Sequence, residues 1–265
     1  MANPVDRKAQ TRTQFNALVA DYDAGPGCFA HFGRRLVAAA GVKPGQHALD
    51  VAAGRGAVLF PAAEAVGHAG HIIGVDLADK MAHATNADAT QRNLNAEVKV
   101  GDAENLEFPA ETFDRVLCGF GLMFFPDQDR ALREFRRVLK PDDKLGLSTW
   151  HIDQAGELKA VAIELGLKIP EPPGWITEPD DLSRVLTRAG FPNVRVEKDA
   201  HAFRYADLDE YWRQARGTGF RRILDSLDEK TTQRMAAALA ERVRPHQKAD
   251  GLYLTSTALM AVADR

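Results

Sequence analysis

The stretch LDVAAGRG, residues 49–56, carries two glycines, Gly54 and Gly56, between an apolar run and a helical pattern. A strand, a glycine turn and a helix N-terminus in this order let backbone amides approach a ligand closely. In the dinucleotide fingerprint GxGxxG the three glycine positions would hold Ala52, Gly54 and Ala57, so two glycines are missing. Such a turn serves a pyrophosphate poorly, whereas alanine is acceptable at Ala52 for another ligand if φ there is negative. An ordinary strand-to-helix turn is the alternative.

Two acidic residues favour the ligand-binding interpretation. Asp76 ends the second predicted strand twenty residues after Gly56, the offset at which a carboxylate accepts hydrogen bonds from ribose hydroxyls. Asp102 follows the third predicted strand, where it could accept from an adenine amino group while the Ala103 amide meets the adenine edge. A solvated loop residue or a helix cap is the plainer explanation of each acid. Together with the loop, they favour S-adenosylmethionine, an adenosine cofactor without a pyrophosphate.

Five segments then come in a familiar order: DVAAGRG, IIGVDLADKM, VGDAENLEFPAETFD, GFGLMFFPD and LREFRRVLKP. Residues 45–150 resemble class I S-adenosylmethionine-dependent methyltransferases, and most closely the small-molecule enzymes of the ubiquinone/menaquinone-biosynthesis type. The resemblance implies methyl transfer to a C, O or N nucleophile of a small hydrophobic or aromatic metabolite. By position it implies that the cofactor is bound by Asp50, Ala52, Ala53, Gly54, Gly56, Asp76, Leu77, Met81, Asp102, Ala103, Cys118, Gly119 and Phe120.

Two other reactions are alternatives to methyl transfer. A non-methylating cyclisation or rearrangement would use the same cofactor residues, so the sequence does not separate it from methyl transfer. An NAD-dependent oxidoreductase is opposed by the missing glycines and by the segment around Asp102. A non-enzymatic binding protein on the same fold is a third alternative.

A general base helps methyl transfer when the nucleophile is a hydroxyl or an unactivated carbon. The candidates at strand ends and in the N-terminal segment are His151, Tyr22 and His31. His151 follows Trp150 at the end of the fifth predicted strand, on the ligand side of a parallel sheet. A solvated loop histidine, a packing tyrosine and a surface histidine are the alternatives. The residues predicted to contact the substrate are Tyr22, Met123, Phe124, Trp150 and Trp212.

The elements that must position these residues alternate between strands and helices. Strands are predicted over 47–52, 71–76, 96–100, 113–120, 144–150, 193–198 and 252–263. They predict an α/β, Rossmann-like fold with a seven-stranded, mostly parallel sheet and helices on both faces. The predicted domains are an N-terminal helical lid (1–44), an S-adenosylmethionine-binding α/β domain (45–205 and 251–265) and a helical cap inserted before the last strand (206–250).

Composition limits the class of partner. The chain has 265 residues, 45% of them hydrophobic, and a formal net charge of −3, which favours a small-molecule substrate over nucleic acid. The two cysteines, Cys28 and Cys118, have no metal-ligand spacing, so no metal is predicted. The polar N-terminus and the lack of an apolar run of roughly 20 residues predict a cytoplasmic protein without a membrane partner. The oligomeric state stays open, with a homodimer as one option.

Overall fold

The computed structural model describes residues 4–151, 156–167 and 174–265. The Pro-rich stretch IPEPPG, which begins at Ile169, lies outside these ranges except for Gly174. The strands are β1 (His47–Val51), β2 (His71–Asp76), β3 (Ala96–Val100), β4 (Phe113–Gly119), β5 (Leu139–Trp150), β6 (Arg195–Tyr205), β7 (Gln247–Lys248) and β8 (Gly251–Asp264). The helices are α1 (Pro4–Asn16), α2 (Cys28–Ala39), α3 (Leu59–Val66), α4 (Asp79–Gln91), α5 (Gln128–Val138), α6 (Gly156–Glu164), α7 (Pro179–Arg188), α8 (Leu208–Arg216), α9 (Arg221–Leu224) and α10 (Glu229–Val243).

The sheet has the strand order β3-β2-β1-β4-β5-β8-β6, and the two-residue β7 pairs with β8. Strands β1 to β5 pair in parallel, whereas β8 is antiparallel to both β5 and β6. The predicted Rossmann-like, mostly parallel sheet is therefore confirmed, with one short strand more than predicted. The strand order reverses between β1 and β4, and ligands of such sheets bind outside the carboxyl ends of the strands at that point.

Two strand boundaries differ from the prediction by more than two residues. Strand β5 begins at Leu139, and its pairing with β4 shifts register between Phe113 and Arg115. This bulge places Asp142 at φ 63°, which is why the sequence pattern starts only at Lys144. Strand β6 continues to Tyr205 because it pairs along its length with β8. Most of its side chains are exposed, and apolar alternation returns only at its end, where Phe203 and Tyr205 are buried.

Helices cover both faces of the sheet. On one face, Phe32 and Leu36 of α2 and Leu59 of α3 pack with Ile72 and Leu117 of the strands. The opposite face is covered by α5 and α7, through buried side chains that include Leu132, Phe135 and Leu186. The apolar stripe of α5 follows the 3.6-residue period, and the Asp127 carboxylate caps its start by accepting the Arg130 N–H at 2.9 Å.

Helix α4 packs against β2 and β3, and the segments that contain α1 and α8 to α10 complete the fold. A turn separates α1 from α2, with Gly27 at φ 70°, and the Asp23 carboxylate accepts the Phe29 and Ala30 amides at 3.1 Å each. Helices α8 to α10 lie between β6 and the β7–β8 pair in chain order. The division into lid, α/β domain and cap stays a prediction. No helix in the described ranges has the length and apolar character needed to cross a bilayer.

Candidate active site

A cleft lies at the carboxyl ends of β1, β2, β3 and β4, and we call it the strand-end cleft. Asp76 organises it: one carboxylate oxygen accepts the Gly54 N–H at 2.7 Å and the other accepts the Ala78 N–H at 2.8 Å. The Thr85 hydroxyl donates to the Gly54 carbonyl at 2.7 Å. Gly54 has φ 51°, a backbone conformation that glycine adopts without steric cost. The glycine turn and the acid at the end of β2 therefore form one hydrogen-bonded unit.

The backbone conformation of Ala52 differs from the one expected from the sequence. Its φ is 61°, so the expectation of a negative φ at this position is wrong. The Ala52 and Ala53 amides both donate to the Val75 carbonyl, at 2.8 and 3.1 Å, and these bonds hold the turn in place. The methyl group finds room because residue 121 is a glycine: a Cβ added to Gly121 would lie 2.6 Å from the Ala52 Cβ.

The predicted cofactor residues divide into two groups. Those in the wall of the strand-end cleft are Ala52, Gly54, Asp76, Leu77, Asp102, Ala103, Gly119 and Phe120. Those behind the wall, where their side chains do not line the cleft, are Asp50, Ala53, Gly56, Met81 and Cys118. The assignment of this second group to the cofactor site stays a prediction.

Packing explains why the residues of the second group lie behind the wall of the cleft. The chain returns over Cys118 at Gly121, where an added Cβ would lie 2.9 Å from the sulfur, so the thiol faces the core. Met81 packs with Leu18 and Ala78 beneath the first residues of α4. At Gly56 an added Cβ would lie 2.5 Å from the Phe60 ring, so this glycine allows close packing against α3.

Asp50 lies under the glycine turn. It is 1% exposed, and neither carboxylate oxygen has a hydrogen-bond partner among the described residues. Burial, followed by the nearby charge of Asp76, raises the pKa of Asp50 well above its ordinary value. Burial also raises the pKa of Asp76. The two amide hydrogen bonds lower this pKa, but burial outweighs them. Asp50 therefore lies beside the cleft without lining it.

Helix α1 closes one side of the strand-end cleft, and sequence reasoning missed the contact that it makes through Lys8. The Lys8 ammonium donates to Asp102 at 2.7 Å and to Glu104 at 2.5 Å. Glu104 also accepts the Asp127 N–H at 2.8 Å. Burial lowers the pKa of Lys8, but its bonds to the two carboxylates outweigh that effect and raise it. Lys8 lies 94 residues away from Asp102, so no local spacing relates the two. The second acid in GDAE was the only signal of this contact in the sequence.

A larger cavity of about 510 Å³, which we call the aromatic cavity, opens beside the cleft. The residues that line both are Thr11, Phe15, Tyr22, Phe120, Phe124, Phe125 and Pro126. Met123, Phe124 and Trp150 lie in its wall at the positions predicted for substrate contact. Trp212 does not line it; its neighbour Tyr211 does. Adjacent residues of a helix lie about 100° apart around the axis, so α8 turns Trp212 away from the cavity when Tyr211 faces it.

The three predicted bases lie in different surroundings. Tyr22 lines the cleft and the cavity and stacks on Phe29, with ring centroids 5.1 Å apart. His151 is 3% exposed, 3.9 Å from the Glu178 carboxylate, and does not line the cavity. His31 stacks on His201 with ring centroids 3.9 Å apart, and also lies outside the cavity wall. Neither histidine lines the cavity, and their role as bases stays a prediction.

The ionisation of Tyr22 limits its chemistry. Burial, together with the charges of Asp23 and Asp76, raises the pKa of Tyr22 above its ordinary value. Its hydroxyl therefore stays protonated at neutral pH, and it can donate a hydrogen bond but is not a phenolate base.

Comparison with known proteins agrees with this geometry. A family model described as "Methyltransferase domain" matches residues 48–142. Nocamycin O-methyltransferase of Saccharothrix syringae is 42% identical over 136 residues, which cover 51% of this chain and 49% of that protein. This chain thus spans about half the length of that relative. Aklanonic acid methyltransferase DauC of Streptomyces sp. (strain C5) is 31% identical over 208 residues, which cover 71% of this chain and 94% of that protein.

Among solved structures, phosphoethanolamine N-methyltransferase 2 of Haemonchus contortus, in complex with S-adenosylhomocysteine, shares the fold. The TM-score is 0.62 at 17% identity, with 100% of this chain and 60% of that chain covered. The family match, the coverage of DauC and the shared fold lead to one conclusion. The chain belongs to the class I S-adenosylmethionine-dependent methyltransferases.

Proposed function

We propose that this chain transfers the methyl group of S-adenosylmethionine to a nucleophile of a small, largely aromatic metabolite. The observation that carries the proposal is the wall shared by the strand-end cleft and the aromatic cavity. A cofactor in the cleft and a substrate in the cavity would meet at Tyr22, Phe120 and Phe124. Methyl transfer needs this contact more than any particular side chain, because aligning the two reactants and excluding water lower the barrier.

The residues of the cleft suit this cofactor. Gly54 offers an open turn for its amino-acid part, since an added Cβ would meet only the Tyr22 ring and hydroxyl, at 3.8 Å. Each oxygen of Asp76 accepts one amide and keeps a lone pair for a ribose hydroxyl. Asp102 stands at the end of the next strand for an adenine amino group. When bound, S-adenosylmethionine supplies an electrophilic methyl group on a sulfonium.

Aromatic side chains would position the substrate. Phe120 and Trp150 lie with ring centroids 4.2 Å apart, and Phe29 lies 5.8 Å from Trp150. Such faces and edges bind flat apolar molecules and keep water away from the reacting atoms. The two relatives carry the names of nocamycin and aklanonic acid, which supports a small-molecule substrate here as well.

Calorimetric titration with S-adenosylmethionine, S-adenosylhomocysteine and NAD tests the cofactor assignment. We expect the first two to bind and NAD not to bind, and binding of NAD alone would overturn the proposal. The acceptor can be sought with methyl-labelled cofactor and a panel of phenols, quinols and aromatic carboxylic acids. Label in the product together with S-adenosylhomocysteine would establish methyl transfer. Conversion of a substrate with the cofactor left intact would instead establish a cyclisation or rearrangement.

A further inference from the structure

Two cations line the aromatic cavity and not the strand-end cleft. Arg7 reaches it from α1 and Lys159 from α6. Among the described residues that line the cavity, none is an aspartate or a glutamate. The described wall is therefore apolar, aromatic and positively charged, although the chain as a whole has a net charge of −3.

The contacts of the two cations distinguish them from ordinary surface charges. The Arg7 Nε is buried and has no hydrogen-bond partner among the residues that the structure describes. A buried donor without a partner costs about 1–3 kcal/mol, which an acceptor in the cavity would recover. The Lys159 ammonium lies 4.5 Å from the centroid of the Trp175 ring, a cation–π contact in the cavity wall. The neighbouring Glu157 carboxylate is bound to Arg242.

The surroundings of these cations indicate the class of ligand. A guanidinium matches a carboxylate or another anionic oxygen group, and a cation beside an aromatic ring adds charge without blocking the ring. The volume of about 510 Å³ lies within the range for cavities that hold drug-sized ligands. We infer that the substrate has an aromatic or fused-ring body with an anionic oxygen group, and that Arg7 and Lys159 bind this group. The inference rests on the proposed function.

The position of the cations gives the anionic group its role. The methyl group must be transferred at the wall shared with the cleft, where Tyr22, Phe120 and Phe124 lie. Arg7 and Lys159 are absent from that wall. The anionic group is therefore an anchor that fixes which atom of the ring body faces the cofactor, and it is distinct from the methyl acceptor.

Paired probes test this inference. The full chain, with and without S-adenosylhomocysteine, would be titrated with anthracene-9-carboxylate and with the neutral anthracene-9-carboxamide. We expect the wild-type chain to bind the carboxylate at least tenfold more tightly. Arg7→Gln and Lys159→Met should each remove most of this preference while binding of the carboxamide stays the same. Arg7→Lys should keep part of it, because charge remains but the guanidinium fork is lost.

Arg216→Gln is the matched control, since Arg216 is exposed, pairs with Asp225 at 3.2 Å and does not line the cavity. Its preference for the carboxylate should equal that of the wild-type chain. Equal binding of the two probes, or an unchanged preference in Arg7→Gln, would overturn the inference. A loss of preference in the control as large as in Arg7→Gln would also overturn it, because the effect would then be the general charge of the surface. Binding of S-adenosylhomocysteine, measured on the same samples, tests the proposed function separately.

Discussion

The contact between Ala52 and Gly121 can be tested by changing its two members separately and together. In Gly121→Ala the added Cβ would lie 2.6 Å from the Ala52 Cβ and 2.9 Å from the Cys118 sulfur. Carbon atoms in contact lie about 3.5–4.0 Å apart, so the wall of the cleft must move. Gly121 has φ −91°, which suits alanine, so the cost comes from crowding and not from the backbone. We expect Gly121→Ala to lower the free energy of unfolding by about 1–3 kcal/mol.

Ala52→Gly combines three effects that nearly cancel. Glycine adopts φ 61° freely, which recovers about 1–2 kcal/mol of left-handed strain. The substitution loses up to about 0.8 kcal/mol from the methyl group, which is only partly buried, and about 0.5–1 kcal/mol through the greater freedom of the unfolded chain. The net change in stability should be close to zero. In the double variant, removal of the Ala52 methyl should recover roughly 1 kcal/mol of the cost of Gly121→Ala, while the contact with Cys118 remains.

Urea unfolding of the four proteins measures this coupling, and titration with S-adenosylhomocysteine shows whether the cleft keeps its shape. Gly219→Ala is the control, because the nearest atom to its added Cβ is the Gln14 Nε2 at 3.5 Å, an ordinary contact. We expect this control to change stability by less than about 0.5 kcal/mol. If the effects of Ala52→Gly and Gly121→Ala simply add, within about 0.3–0.5 kcal/mol, the two Cβ positions do not meet and our explanation of Ala52 fails.

Three further variants test the acids and the cation of the strand-end cleft. Asp76→Asn should weaken S-adenosylmethionine binding at least tenfold, about 1.4 kcal/mol, because an amide nitrogen replaces one acceptor. Calorimetry measures the change, with Asp142→Asn as the exposed control, and unchanged affinity would place the ribose elsewhere. Lys8→Met should strengthen cofactor binding about two- to fivefold, since Asp102 is then free for the adenine amino group; weaker binding in the same titration would mean that Lys8 helps to hold the cofactor. Burial raises the pKa of Asp50 in the folded state, so the wild-type chain should lose stability as the pH rises above the unfolded-state pKa of about 3.9. Asp50→Asn should remove the part of this loss of stability that Asp50 causes, as measured by urea unfolding from pH 4 to pH 8. An unchanged dependence of the unfolding free energy on pH would contradict the raised pKa of Asp50.

The sequence predicted the architecture well because most of it depends on local patterns. Apolar runs marked β2 and β3 at their observed bounds, and the period of α5 gave its buried stripe. The pattern was less informative where tertiary pairing extends an element. Strand β6 continues beyond its apolar start because β8 supplies hydrogen-bond partners along its length, and polar exposed residues there give no signal.

The position of a site residue is easier to predict where a motif fixes the backbone than where a side-chain direction decides. Gly54 and Asp76 lie together because Gly54 follows β1 and Asp76 ends the adjacent parallel strand β2. Whether Cys118 or Gly119 faces the ligand depends on the return of the chain at Gly121, which no local pattern records. Lys8 could not be found from spacing, since its partner Asp102 is distant in the sequence and the contact depends on how α1 packs.

The protonation of its polar groups limits the chemistry of the aromatic cavity. Burial raises the pKa of Cys28 and of Tyr211 to about 12 in each case, and it raises those of Tyr22 and Tyr205 as well. These four side chains line the aromatic cavity and stay protonated at neutral pH, so none of them accepts a proton from the substrate. Their hydrogen-bonding can orient a substrate, and the aromatic wall can exclude water. We therefore expect a methyl acceptor that is itself acidic, such as a phenol or an enol, held where the methyl group can reach it.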